Sequence, residues 1–423
     1  MGLSFLTWVD FDSDQKKKMA EVIRLFSEQS VRDELGFGTV RDLIADKLFP
    51  GTSTIQTRSK YFLFVPYIFL QLQEEASEKK ALRESPRKMQ DRVEELEDEL
   101  IKKLVKQDDK GGTIGSVSLA RNKKLQRYPN EIYWAGLKKW GVFKDEAGRS
   151  SYYEELGDRI ELLKNWEKKN KDDENDYTKR PNSFWNAEVE KLYKNSKVRE
   201  LNSSFELDPR EAAFLRSQIN ECCNGSLLNS ILTNEIQIGE IESLWDLKLR
   251  KIINDQFKDI LYHSKNFSLL VCGAVRAYFF LCAAKLEMPL LKDYEEFFEE
   301  WFIQAKKSEF AQWKVEEFFN YIRTLDEKAN VHMTQVLSAQ FKKEFDKATT
   351  FREMLDSDSL LNLIKKRELD LKKIKRARLS NDEPLRRWGN SLNGVAFKAY
   401  GPDFRWGQSK RIILDIFVGA GIE

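Results

Sequence analysis

Apolar residues recur at helical spacing along most of the chain, and this limits its folds more than any motif does. Met19, Val22, Ile23 and Phe26 follow an i, i+3, i+4, i+7 pattern, and Val40, Leu43, Ile44 and Leu48 keep the helical spacing at i, i+3, i+4, i+8 after a possible cap at Thr39. Two runs are apolar on nearly every face. Tyr61–Leu72 is too short to cross a bilayer. Phe267–Ala284 is longer but carries Arg276 near its middle, a costly placement in lipid. Both are expected as core helices, with no membrane role, because a helix apolar all round has to be enclosed. The expected class is therefore mainly α and multi-helical. At 423 residues, 41% of them hydrophobic and 12% aromatic, the chain can bury two or three cores and is a poor candidate for disorder.

Three consecutive stretches are expected. Residues 1–110 read as an N-terminal helical domain. In it Pro50-Gly51 breaks the chain, and Thr52, Ser53 or Thr54 starts a second helix, giving a helix-turn-helix-like outline. Residues 74–110 are rich in Glu and Lys with a thin stripe of Val93, Leu96 and Leu100, which suits a partly solvated helix or coiled-coil arm. Residues 111–180 read as a small, winged-helix-like α+β unit. It has a helix over Ile132–Trp140, a stop at Gly141, strands at Val142–Lys144 and Ser150–Tyr153, and a polar linker from Lys168 to Pro181. Residues 181–423 read as a helical C-terminal domain. Asp208-Pro209-Arg210-Glu211 carries the start signals of a helix, Pro289 interrupts the helical body, and Ser409–Phe417 is a final helix or strand.

Catalytic signatures are missing from the sequence. There is no GxxxxGK[ST], HExxH or GxSxG. Gly111–Ser116 is Gly-rich but lacks the phosphate-loop lysine, so it reads as a connection. The two histidines, His263 and His332, have no motif around them. Cys222, Cys223, Cys272 and Cys282 form no CxxC pair, and together with an N-terminus that has no basic leader they read as reduced thiols of a cytoplasmic protein. No catalytic residue, cofactor or metal ligand is expected. Asp158, Glu161 and Lys164 imitate an acidic cluster but suit one helix face, with Glu161 pairing to Lys164.

Charge is more informative. The net charge of +2 excludes a globally basic coat, so any polyanion site must be local. Between Lys365 and Arg378 eight bases face two acids, and the segment 365–411 carries +9. Trp388, Tyr400, Phe404 and Trp406 are interleaved with these cations, as phosphate neutralisation plus base stacking would require. The expected nucleic-acid contacts are Lys365, Lys366, Lys372, Lys373, Lys375, Arg376, Arg378, Arg405 and Trp406. A second set, Gln56, Arg58 and Lys60, follows Thr52-Ser53-Thr54 at an expected helix start, where hydroxyls and amides hold phosphates and long polar side chains read base edges.

Five segments, MGLSFLTWVDF (1–11), GFGTVRDLIADKLFPGTSTIQTRSKYFLFVPY (36–67), IYWAGLKKWGVF (132–143), RELDLKKIKRARLSN (367–381) and FRWGQSKRIILDI (404–416), together resemble one uncharacterised prokaryotic family, a domain of unknown function spanning nearly the whole chain. The resemblance implies phage-defence gene neighbourhoods beside helicase- or nuclease-like genes. The expected function is a DNA-binding accessory subunit of a phage-defence or DNA-processing complex, with nucleic acid and protein partners. The alternatives are an interaction scaffold of such a complex without nucleic-acid contact, or a divergent metal-dependent nuclease using Asp158, Glu161 or Asp415.

Overall fold

The computed structural model describes residues 33–107, 111–121, 123–145, 148–172, 182–195 and 204–422. The expected helix at Met19–Phe26 and the linker residues 173–181 lie outside them. Within the described residues the protein is mainly helical, as expected. They hold nineteen α-helices and no strand, and one isolated antiparallel bridge joins Phe143 to Trp185.

In chain order the helices are α1 (Gly38–Leu48), α2 (Tyr61–Glu78), α3 (Lys80–Arg83), α4 (Pro86–Gln107), α5 (Ser116–Ala120), α6 (Pro129–Lys139) and α7 (Arg149–Asp172). Then come α8 (Ala187–Asn195), α9 (Pro209–Cys222), α10 (Leu227–Thr233), α11 (Leu247–Ile252), α12 (Lys258–Lys285) and α13 (Leu291–Lys307). The last are α14 (Val315–Leu325), α15 (His332–Lys347), α16 (Phe351–Leu355), α17 (Asp358–Lys372), α18 (Asp382–Ser391) and α19 (Trp406–Ala420). They form two compact units. One takes the described residues up to Ile44 together with Asp259–Pro402; the other takes Ala45–Lys258 and the residues from Asp403 onward.

Each unit is organised around one of the two apolar runs. In the second unit every residue of α2 from Tyr61 to Leu70 is buried, and α3, α4, α6, α7 and α8 pack around it. Phe62 stacks on Trp140 at 3.8 Å, and Phe69 meets Trp134, Tyr152, Tyr153 and Trp185. Each such aromatic contributes roughly 1.5–3 kcal/mol by leaving water. In the other unit α12 takes the central place. It is long and apolar enough to cross a membrane, and most of its apolar stretch is buried within the unit. Arg276 does not interrupt it, because its guanidinium donates to the carbonyls of Ala399 (3.0 Å) and Phe297.

Local signals hold where they are strong. Asp208 caps α9, accepting from Arg210 and Glu211 N–H at 2.8 and 2.9 Å, while the Glu211 carboxylate reaches back to the Asp208 amide. Several finer expectations differ from the observed backbone. No strand forms at Val142–Lys144, where Phe143 makes only the isolated bridge, and residues 168–172 of the expected linker continue α7. The stretch 49–60 is a run of turns, and the helix after Pro50-Gly51 begins only at Tyr61. Here Gln56 folds back, accepting from Ser53 N–H and donating to the Gly51 carbonyl, and these bonds compete with the helical ladder. The expected strand Ser150–Tyr153 lies in the first turns of α7, because Tyr152, Leu156 and Ile160 repeat every four residues on one buried face. The acidic arm is α4. Met89, Val93, Leu96, Leu100 and Leu104 are buried, and the helix packs along α2 and α7.

Glu97 lies on that buried face, four residues after Val93, and is fully enclosed. It accepts from the Asn130 backbone N–H (2.7 Å) and side-chain amide at the start of α6. Burial pushes its carboxyl up from 4.5 to about 8, although the Asn130 bonds and the Arg149 charge oppose this and Glu131 adds to it. The sign follows from linkage. The folded state holds the proton more tightly than the unfolded chain, so Glu97 contributes most below about pH 4.5, and this is lost as pH rises through about 8. Glu97→Gln is expected to flatten the fall in melting temperature between these pH values, removing a slope of at most ~1.4 kcal/mol per pH unit. Parallel slopes for variant and wild type in circular-dichroism melts would contradict the assignment.

Candidate nucleic-acid interface

The structure sorts the sequence-predicted cations into two groups by what their head groups meet. Gln56, Arg58 and Lys60 are all buried. Arg58 makes a bidentate pair with Asp415 of α19, Nε–Oδ2 and Nη2–Oδ1 both being 2.9 Å. Lys60 pairs with Glu211 of α9 and donates to the Glu206 carbonyl at 3.0 Å. Arg405 bonds Asp46 (2.6 Å) and the Thr52 carbonyl (2.7 Å). The Trp406 ring is buried 5.9 Å from Phe49, with its indole N–H on the Glu242 carbonyl. These five side chains hold the second unit together, and none presents its head group to a ligand.

The basic run of the other unit divides differently. Leu360, Ile364 and Glu368 form the buried face of α17. Glu368 is completely enclosed and collects donors: the Tyr278 hydroxyl, the backbone N–H groups of Arg378 (2.8 Å) and Leu379 (2.9 Å), and Lys372 Nζ (3.4 Å). Glu34 supplies a second buried carboxylate, pairing with Lys372 and with Arg378 at 3.2 Å. Lys372 and Arg378 both donate to the Tyr278 oxygen, at 3.1 and 3.2 Å. Two cations therefore balance two carboxylates around one phenol, and burial pushes the Tyr278 hydroxyl up so that it stays protonated. Arg367 also turns inward, onto the carbonyls of Leu35 (2.7 Å) and Gly36 (3.1 Å). Gly36 has φ +76°, where any other residue is strained, and a Cβ there would displace the Arg367 guanidinium, which lies 2.2 Å from its place.

Lys365, Lys366, Lys373, Lys375 and Arg376 remain, and all five are exposed. Among the described residues no carboxylate pairs with them; Lys373 reaches only the Asp370 carbonyl, at 2.9 Å. Lys365 and Lys366 sit on the outer face of α17, and Lys373, Lys375 and Arg376 on the turn after it. Asp370 is the one acid in the chain between Lys365 and Arg376 that is exposed alongside them. The interleaved aromatics do not join them: Trp388, Phe404 and Trp406 are buried, and only Tyr400 is exposed. What the surface offers is phosphate neutralisation without a stacking platform.

The remaining expected chemistry does not converge. Asp415 is taken by Arg58, Asp158 is exposed on α7, and Glu161 lies 3.6 Å from Arg83. Lys164 donates to the Ser77 carbonyl rather than to Glu161. Among the described residues no three His, Cys, Asp or Glu side chains gather as a metal site would need. His263 accepts from the Trp313 indole (3.1 Å) and packs on Phe318 and Tyr321, while His332 opens α15 at the surface. A groove of about 490 Å³ lies between α2, α7 and α8, lined by Gln73, Glu74, Lys164, Trp185, Glu190 and Tyr193. Three of its charged groups are engaged: Glu74 accepts from Tyr193, Glu190 accepts from Ser183, and Lys164 donates to the Ser77 carbonyl.

Fold and site together define a mainly helical protein of two units, one of which carries exposed cations on a helix face and the turn that follows it. The chain belongs to the family of unknown function DUF6361, whose model matches residues 3–419. No curated protein and no solved structure matches it.

Proposed function

We propose that the protein binds duplex DNA without acting on it, as an accessory subunit of a prokaryotic DNA-processing or phage-defence complex. The observation that carries this reading is the set of five exposed cations: Lys365 and Lys366 on the outer face of α17, and Lys373, Lys375 and Arg376 on the turn that follows it. Their neighbours Arg367, Lys372 and Arg378 serve as the internal anchor and do not contact the polyanion. A duplex is favoured over a single strand because residues 358–381 contain no aromatic side chain on which an unpaired base would stack. Contact through phosphates alone is independent of sequence and depends steeply on salt.

Binding of the full chain to a short labelled duplex tests this. Five phosphate contacts correspond to a slope of about −4 to −5 in log K against log salt. Simultaneous reversal of Lys365, Lys366, Lys375 and Arg376 to Glu is expected to weaken binding at least ~100-fold and leave the melting temperature unchanged, because these side chains hold nothing internal. A shallow slope, or unaltered affinity in the reversed protein, would remove the reading. Nuclease-resistant co-purification with a protein partner in that reversed variant would point to a scaffold instead.

A further inference from the structure

The turn that follows α17 has a construction that phosphate binding alone does not require. Lys373 adopts φ 58° and ψ 165°, a conformation otherwise almost confined to glycine. The turn persists because its surroundings over-determine it. The Lys373 carbonyl accepts from the N–H groups of Arg376 and Ala377, both at 3.1 Å, and Asn381 Nδ2 holds the Ile374 carbonyl at 3.1 Å. Ala377 is fully buried, and Glu368 fixes the next two amides. At the apex stands Ile374, 55% exposed, with Lys373 before it and Lys375 and Arg376 after it. Leu371, also exposed, lies in the last turn of the helix. A single exposed isoleucine is ordinary. An isoleucine exposed on a braced, strained turn and flanked in the chain by exposed cations has the chemistry of a side chain that enters a base step while its neighbours hold the flanking phosphates.

We propose that Ile374 is an apolar wedge that inserts between base pairs of a duplex and kinks it, with Lys373, Lys375 and Arg376 on the adjacent backbone. This deepens, and rests on, the DNA-binding reading above. A rigid turn suits the task, because a mobile loop would have to become ordered at the moment of insertion, and that entropy cost would offset part of the binding energy. The wedge also has a preferred partner. DNA that is already weakly stacked, at a mismatch or a TA step, costs less to kink than a uniform G·C-rich duplex.

The full chain is titrated against two end-labelled duplexes of equal length, one G·C-rich and one with a central mismatch, with energy transfer between the ends reporting the bend. Wild type is expected to bind the mismatched duplex at least ~10-fold more tightly and to shorten its end-to-end distance. Ile374→Ala is expected to melt like wild type, keep the salt slope, and lose both the preference and the bend. Equal, unbent binding of both duplexes by wild type would overturn the wedge while leaving phosphate binding intact. Binding to neither duplex would overturn both readings. Capture by phosphatidylglycerol vesicles that depends on Ile374, without any duplex preference, would assign the tip to lipid and overturn the wedge.

Discussion

Arg58→Ala is expected to destabilise the second unit by about 3–5 kcal/mol, as removal of one partner of a buried ion pair does. The Asp415 carboxylate would keep only the Ser59 backbone N–H and hydroxyl, at 3.0 and 3.3 Å, and would lose three guanidinium bonds. The guanidinium also lies 4.8 Å over the Phe205 ring, so packing is lost with the charge. Tyr133 fixes the backbone at the same point, its hydroxyl meeting Thr57 N–H (2.8 Å), Arg58 N–H (3.1 Å) and the Arg58 carbonyl (2.9 Å). Gly112 gives the side chain its passage, since a Cβ there would lie 2.8 Å from Arg58 Cγ. For a unit of this size the loss corresponds to a fall in melting temperature of the order of 10 °C. The double variant Arg58→Met with Asp415→Leu should recover most of it, because the cost lies in the orphaned charge more than in the missing attraction. Calorimetry of the three proteins decides the matter, and melting of Arg58→Ala within a degree of wild type would refute it.

Glu368→Ala should do comparable damage in the other unit, again about 3–5 kcal/mol, with a second consequence at a distance. The carboxylate satisfies two backbone amides and the Tyr278 hydroxyl, and it shares Lys372 with Glu34. Without it, two cations face the single carboxylate of Glu34, and the amides of Arg378 and Leu379 are buried with no acceptor. The turn bearing Ile374 and Lys375 would lose one of its anchors. Amide exchange at Arg378 and Leu379 should therefore rise, and duplex affinity should fall although Glu368 itself is inaccessible. Glu368→Gln, which keeps an acceptor but not the charge, should lie between the two. Unchanged exchange at these amides in Glu368→Ala would show that the turn is held by other means.

These two residues also mark how far the sequence could be read. The charge run 365–378 was visible as a run, and its exposed members are those that any solvated face would present. Nothing in the run separates Lys372 from Lys373, or Arg376 from Arg378, since the distinction lies in carboxylates at Glu34 and Glu368. Glu97 and Glu368 could have been suspected, because each falls on the apolar stripe of its helix at four-residue spacing: Val93 to Glu97, and Leu360, Ile364 to Glu368. Gln56, Arg58 and Lys60 form a polar cluster just before a helix. Their polarity serves buried bonds, and the same cluster would look no different if it faced a ligand.

The helical class, the two enclosed helices around Tyr61–Leu70 and Phe267–Ala284, and the cap at Asp208 were all set within a few turns of chain, where periodicity and N–H satisfaction act. The return of α19 to the second unit, the sorting of the cations and the strained turn at Lys373 came only with the tertiary structure. Arg58 and Asp415 stand 357 residues apart, and Lys372 and Glu34 stand 338 apart. A charge carries no local mark of its counter-ion, so whether it is spent on an internal pair or left to the solvent is decided only when distant parts of the chain are brought within a few ångströms of each other.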